Sequence, residues 1–208
     1  AVIVKAAADQ PVVGVGAATK SAVDEDSGYI TYPVTVGLND TDGSETMQSV
    51  LVTFSTPGTG ARPEVNFTTT GGIIFDTSTP GQVRLTGATA DIIAAMATLQ
   101  VRPGAANGED ITVTVTATSV ESNPSEPDVA GSEIATATAQ TVATFVIPVN
   151  PVPEVPGLTL PANPTGSEDV AFALGSFGVS ATTTDPDGSE TRYIEISTSS
   201  YPSGTVFS

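Results

Sequence analysis

The sequence predicts an all-β fold, an antiparallel β-sandwich repeated in tandem, and three observations lead there. Side-chain character alternates with a period of two over several segments, Thr and Val crowd those segments, and an acidic landmark returns at a fixed distance along the chain. Successive side chains of a strand point to opposite faces, so alternation marks a segment buried on one side only. Thr and Val suit such segments because branching at Cβ fits a pleated surface.

The clearest strand lies at 111–118, where Ile111, Val113, Val115 and Ala117 alternate with Thr112, Thr114, Thr116 and Thr118. Residues 29–38 read as another. Ile30, Tyr32, Val34, Val36 and Leu38 alternate with Tyr29, Thr31, Pro33, Thr35 and Gly37. Pro33 marks an edge or a bulge there, because proline has no amide hydrogen for a ladder. Segments 12–18, 47–56, 65–70, 82–86 and 134–149 are further strands. Residues 89–99, TADIIAAMATL, break the pattern. Their Ala content and the spacing of Ile92, Ile93, Met96 and Leu99 predict one short connecting helix near 89–97. Short strands with Gly- and Pro-rich turns favour a sandwich over a central barrel.

Repetition sets the domain organisation. DTDGSET at 40–46 returns as DPDGSET at 185–191, an offset of 145 residues. Asp9-Gln10-Pro11 matches Glu154-Val155-Pro156 at the same offset, and Glu25-Asp26 matches Glu168-Asp169 at 143. Three landmarks in one order predict a complete β-sandwich repeat at 1–150 and the N-terminal part of a second at 151–208. NPVPEVP at 150–156 has alternate prolines, the composition of a stiff, extended connector. The second copy offers only early strands, near 158–160, 170–177 and 192–198. Half a sandwich cannot bury its sheet face, so the stretch reads as a piece of a longer array or as a domain that a partner segment completes.

Composition narrows the function. Hydrophobic residues are 39% of the 208, enough to build a core, while aromatics are 5% and leave that core to Val, Ile, Leu, Ala and Phe. The 23 Asp and Glu outnumber 6 Lys and Arg, for a net charge of −17, which repels nucleic acid and anionic membranes and attracts cations. Acidity of this kind also keeps a surface protein soluble. No stretch nears the roughly 20 apolar residues of a membrane helix, and residues 1–8 lack the apolar run of a signal peptide. There is no His and no Cys, which removes the commonest general base, zinc ligand and thiol nucleophile, and every disulfide. An exported domain without disulfides needs another staple, and a metal ion supplies one. No G-x-S-x-G elbow occurs, and paired carboxylates of the glycosidase kind would have to share one cleft rather than recur at strand ends. The expectation is a protein that is not an enzyme.

The acids sit where strands end. Glu25-Asp26 precedes 29–38 and Asp40, Asp42 and Glu45 follow it, so the two groups occupy opposite poles of the sandwich. An antiparallel first strand places Asp9 at the pole of Asp40, Asp42 and Glu45. By the same logic Glu154 joins Asp185, Asp187 and Glu190 in the second copy, where Glu168-Asp169 repeats Glu25-Asp26. The connector then brings Glu25 and Asp26 towards Glu154 and its neighbours. Carboxylates gathered there repel one another without a cation, and calcium takes 6–8 oxygens in flexible geometry. Read alone, DTDGSE is an ordinary turn, since Asp, Gly and Ser are turn residues, and it lacks the full EF-hand pattern. Recurrence and the matched acidic pairs favour calcium. The acidic segment 120–133, VESNPSEPDVAGSE, reads equally as further ligands at its pole or as a solvated hairpin loop.

These residues resemble a family. The order A-D-x-P at 8–11, then an E-D pair, an alternating strand, DTDGSET and ITVTVTAT looks like the Ig-like or cadherin-like extender repeats of giant bacterial RTX adhesins. SYPSG at 200–204 resembles the turn after their third strand. Copy one covers the pattern to about residue 149 and copy two only its beginning. Glu154 stands where copy one has Asp9, Pro186 replaces Thr41, and the Gly-rich nonapeptide repeats are absent from this stretch. The resemblance implies calcium-binding extender domains on the bacterial cell surface, outside the cell. Their role is to hold a binding tip away from it, with neighbouring repeats of the same chain as partners. It maps metal-binding roles onto Asp40, Asp42, Glu45, Asp185, Asp187 and Glu190. Two other functions compete: a carbohydrate- or protein-binding adhesin module, short of exposed aromatics for sugar stacking, and a filament subunit whose incomplete second repeat self-associates.

Overall fold

The computed structural model describes residues 8–40, 43–57, 61–68, 71–104, 107–121, 138–160, 170, 178–182, 191, 193 and 195. The chain divides into two compact units, Ala1–Val152 and Pro153–Ser208. In chain order the first contains β1 (Val12–Gly14), β2 (Val23–Asp24), β3 (Ile30–Thr31), β4 (Thr35–Gly37), β5 (Glu45–Ser55), β6 (Glu64–Phe67), β7 (Ile74–Asp76), β8 (Gln82–Thr86), α1 (Thr89–Met96), β9 (Leu99–Arg102), β10 (Ile111–Glu121), β11 (Thr138–Ile147) and β12 (Val149–Asn150).

The fold is all-β, antiparallel and sandwich-like, with one short helix among the described residues. A five-stranded sheet runs in the order β11-β10-β5-β8-β7, every neighbouring pair antiparallel. A three-stranded sheet β3-β9-β6 and the pair β1-β4 supply the other apolar surfaces, and β2 and β12 pair in parallel. One core joins them: Val50, Val52, Leu85, Val113, Val115 and Phe145 from the large sheet meet Tyr32, Val34, Val36, Leu99 and Val101 from the smaller ones. Burying this apolar surface is the main favourable term in folding such a unit.

Residues 29–38 keep the expected alternation of burial but are not one strand. The chain leaves the ladder at Pro33, so β3 pairs with β9 while β4 pairs with β1. The amides either side still donate across, Tyr32 to the Leu99 carbonyl at 2.8 Å and Val34 to the Met96 carbonyl at 3.1 Å. A residue without an amide hydrogen is what lets the segment change sheets.

The helix forms where expected. Ile92 and Met96 are inside with Ala95, Ile93 faces out, and Leu99, also buried, already belongs to β9. Asp91 lies in the first turn, where a negative charge complements the helix dipole, and its Oδ2 accepts from the Gly72 amide at 3.2 Å. Strands β2, β7 and β9 carry no sequence signal of their own, being two to four residues long.

In the second unit two strands are described, β13 (Gly157–Thr159) and β14 (Ser180–Thr182), paired antiparallel. Their partners are Gly157↔Thr182, Leu158↔Ala181 and Thr159↔Ser180, against Val12↔Gly37, Val13↔Val36 and Gly14↔Thr35 for β1 and β4. Every partner is displaced by 145 residues, the offset of the acidic landmark. The repetition therefore extends from sequence to backbone register. Among the described residues no helix is long and apolar enough to cross a membrane.

Candidate functional site: two acidic poles of the first unit

The longest strands carry the geometry. Strands β5 and β10 are 11 residues each and pair over almost their whole length. At about 3.4 Å per residue they run some 34 Å from one pole to the other. Glu45 opens β5 and Glu121 closes β10, and the two are direct cross-strand partners.

Both point into the sandwich, for different reasons. In β10 the inward set is Ile111, Val113, Val115, Ala117, Ser119 and Glu121, an unbroken alternation. In β5 strict alternation would separate Glu45 and Met47 from Val50 and Val52. The register shifts there: Thr118 pairs with Ser49 and Ser119 with Met47, leaving Gln48 as the extra residue of a β-bulge. A bulge of one residue returns the next side chain to the same face. Glu45 and Met47 consequently share the inner face with Val50 and Val52, and Glu45 is 7% exposed.

Asp9 is held at this pole by the same two strands. Its amide donates to Glu45 Oε1 at 2.7 Å, and its carbonyl accepts from Ser119 Oγ at 2.7 Å. Asp40 joins them, its Oδ1 accepting from the Gly43 amide at 2.7 Å and its Oδ2 from the Glu45 amide at 3.1 Å. Gly43 has φ 84°, a left-handed conformation that costs glycine nothing and a side-chain-bearing residue more. Both Asp40 oxygens thus hold the backbone amides of Gly43 and Glu45. The hydrogen bond from the Asp9 amide is the largest influence on Glu45 and favours its charged form. Desolvation and the Asp40 and Asp9 carboxylates push the other way and together prevail, so Glu45 titrates above its ordinary 4.5.

The opposite pole is built from β2 and β12. The Glu25 amide donates to the Asn150 carbonyl at 3.1 Å, Asn150 Nδ2 donates to Asp24 Oδ1 at 3.3 Å, and Glu25 Oε1 accepts from the Val152 amide. Glu25 is buried and fastens the segment leaving the unit, whereas Asp26 is exposed. The structure thus brings Asp9, Asp40 and Glu45 together and sets Glu25 and Asp26 at the far end of the long strands. Glu154 is half-buried and belongs to the second unit. Asp42, Glu168, Asp169, Asp185, Asp187 and Glu190 lie outside the described residues, as does most of segment 120–133.

Glu121 is the residue that sequence reasoning misplaced. It was expected in an acidic loop, but it is the last residue of β10 and 6% exposed. The available signal was the alternation of β10, which continues through Ser119 to an acid at an inward position. Among the described residues, no group of three or more acids already surrounds one point that could hold a metal ion. The single ion pair among them, Arg102 with Glu64 at 2.6 Å, lies elsewhere on an exposed face.

In comparisons with family models, curated proteins and solved structures, nothing matches this chain.

Proposed function

We propose that this chain is a stretch of calcium-stiffened spacer repeats from a bacterial surface adhesin, acting outside the cell to hold a binding tip away from it. The supporting observation is where the chain enters and leaves the first unit. It enters at Asp9, beside Glu45 and Ser119, and leaves at Asn150–Val152, beside Asp24 and Glu25. Those positions are opposite ends of the β5–β10 pair, so a repeat of this kind adds its own length of about 34 Å to a string of repeats. The repeated strand register supports an array, and acids at both poles of the first unit support a cation as its stiffener.

The test is thermal unfolding of the chain in calcium, in magnesium and in excess chelator at one ionic strength. Calcium at a hundredfold excess over its Kd adds about 2.7 kcal/mol of stability. That moves the melting temperature by roughly 5–10 °C for a chain of this size. A rise specific to calcium supports the reading. Coincident melts in all three solutions contradict it.

A further inference from the structure

We infer that Glu45 and Glu121 form a divalent-cation site inside a single repeat, with Glu121 as a ligand that the DTDGSE landmark does not contain. The inference rests on the calcium reading above and deepens it, because it gives the first unit a cation of its own that needs no neighbouring repeat.

Two carboxylates occupy an unusual place in this unit. Glu45 and Glu121 are directly opposed across an antiparallel pair, on its inner face, at 7% and 6% exposure. Opposed like charges destabilise a sheet even at its surface, and removal from water makes both the repulsion and the desolvation worse. Buried carboxylates are tolerated when hydrogen bonds or cations satisfy them. Here Glu45 Oε2 and Glu121 Oε1 are buried with no hydrogen-bond partner among the described residues. Neither residue forms an ion pair among the described residues. Asp9 and Asp40 add further negative charge around Glu45. Two buried, partnerless carboxylate oxygens on directly paired residues, with Asp9 and Asp40 adding charge near Glu45, constitute a binding demand of positive sign.

The donors indicate which cation. All are oxygens, which selects hard ions, and they come from three distant parts of the chain: the segment before β1, the start of β5 and the end of β10. Calcium accepts irregular oxygen shells, including backbone carbonyls, whereas magnesium requires a near-ideal octahedron and gives up water reluctantly. Because no three acids among the described residues yet surround one point, binding draws the two glutamates in rather than filling a finished cage.

The experiment compares the whole 208-residue chain with its Glu121→Gln variant, using Glu109→Gln, an exposed acid at the other end of β10, as control. Melting temperatures are read in chelator, and calcium binding by isothermal titration. Removing one of two opposed buried charges is expected to raise the melting temperature in chelator while weakening the tightest calcium site by about tenfold or more. Glu109→Gln is expected to change neither, and Glu45→Gln to repeat both effects from the opposite side. Unchanged calcium affinity in Glu121→Gln, beside clear binding by the parent chain, overturns the site and leaves the spacer reading standing. A lower melting temperature or loss of folding in chelator also overturns it, since the two charges would then not repel. A parent chain that binds no calcium overturns the site and the calcium reading together.

Discussion

Replacing Phe145 by alanine is expected to lower the stability of the first unit by about 3–5 kcal/mol, the usual effect of removing a large aromatic side chain from a packed interior. Phe145 is 1% exposed and lies opposite Val113 in the β10–β11 ladder. Its ring meets the Tyr32 ring at 5.9 Å between centroids, and Lys20 Nζ sits 4.7 Å from its own centroid. It therefore joins the large sheet to the segment between β3 and β4, and to the chain that runs beside β11. Domains of ordinary size hold about 5–15 kcal/mol in total, so the loss is a large fraction. Denaturant unfolding measures it. Val142→Ala is the control: Val142 is on the same strand but 59% exposed, and its change should stay within about 0.5 kcal/mol. A Phe145→Ala effect as small as the control would mean that the strand does not pack as described.

Gly104→Ala is expected to lower stability by about 3 kcal/mol, for the opposite reason. Gly104 follows β9 and is buried against the backbone just before β6. A Cβ there would collide with the Ala61 carbonyl group and come within 2.7 Å of the Arg62 carbonyl oxygen. Backbone cannot swing aside as a side-chain tip can. The crossing is also fixed from a second direction, because Asn107, 1% exposed, donates from Nδ2 to the Ala61 carbonyl at 3.1 Å. An added methyl must therefore separate the two crossing segments or displace that amide. Thermal unfolding of the variant reads the effect, and an unchanged melting temperature would show that the crossing is loose.

Much of the architecture was legible because it depends on period alone. The Thr/Val alternation of β10 gave both its existence and its inward face, and the acidic landmark gave an offset that the β13–β14 register repeats. The gathering of Asp9, Asp40 and Glu45 followed from strand direction alone. What escaped was set by interruptions of the period. Pro33 divides one alternating segment between two sheets without disturbing its burial pattern, so only the pairing partners reveal the break. The bulge at Gln48 turns Glu45 and Met47 to the face of Val50 and Val52, and nothing local in that segment announces it. Leu99 continues the spacing of Ile92 and Met96 closely enough to look helical, although it begins β9. Glu121 was hidden by its neighbours. A run of Glu, Ser and Pro after it reads as loop, while the pleat that places it depends on residues before it. Glu25, read as a ligand, spends one oxygen on the amide of Val152 and so anchors the chain's exit.

The claim that calcium stiffens this chain is tested most directly by small-angle X-ray scattering of the 208-residue protein in calcium and in chelator. The account predicts that calcium increases the radius of gyration and the maximum dimension, and that chelator reverses both. Superimposable scattering in the two solutions would contradict it.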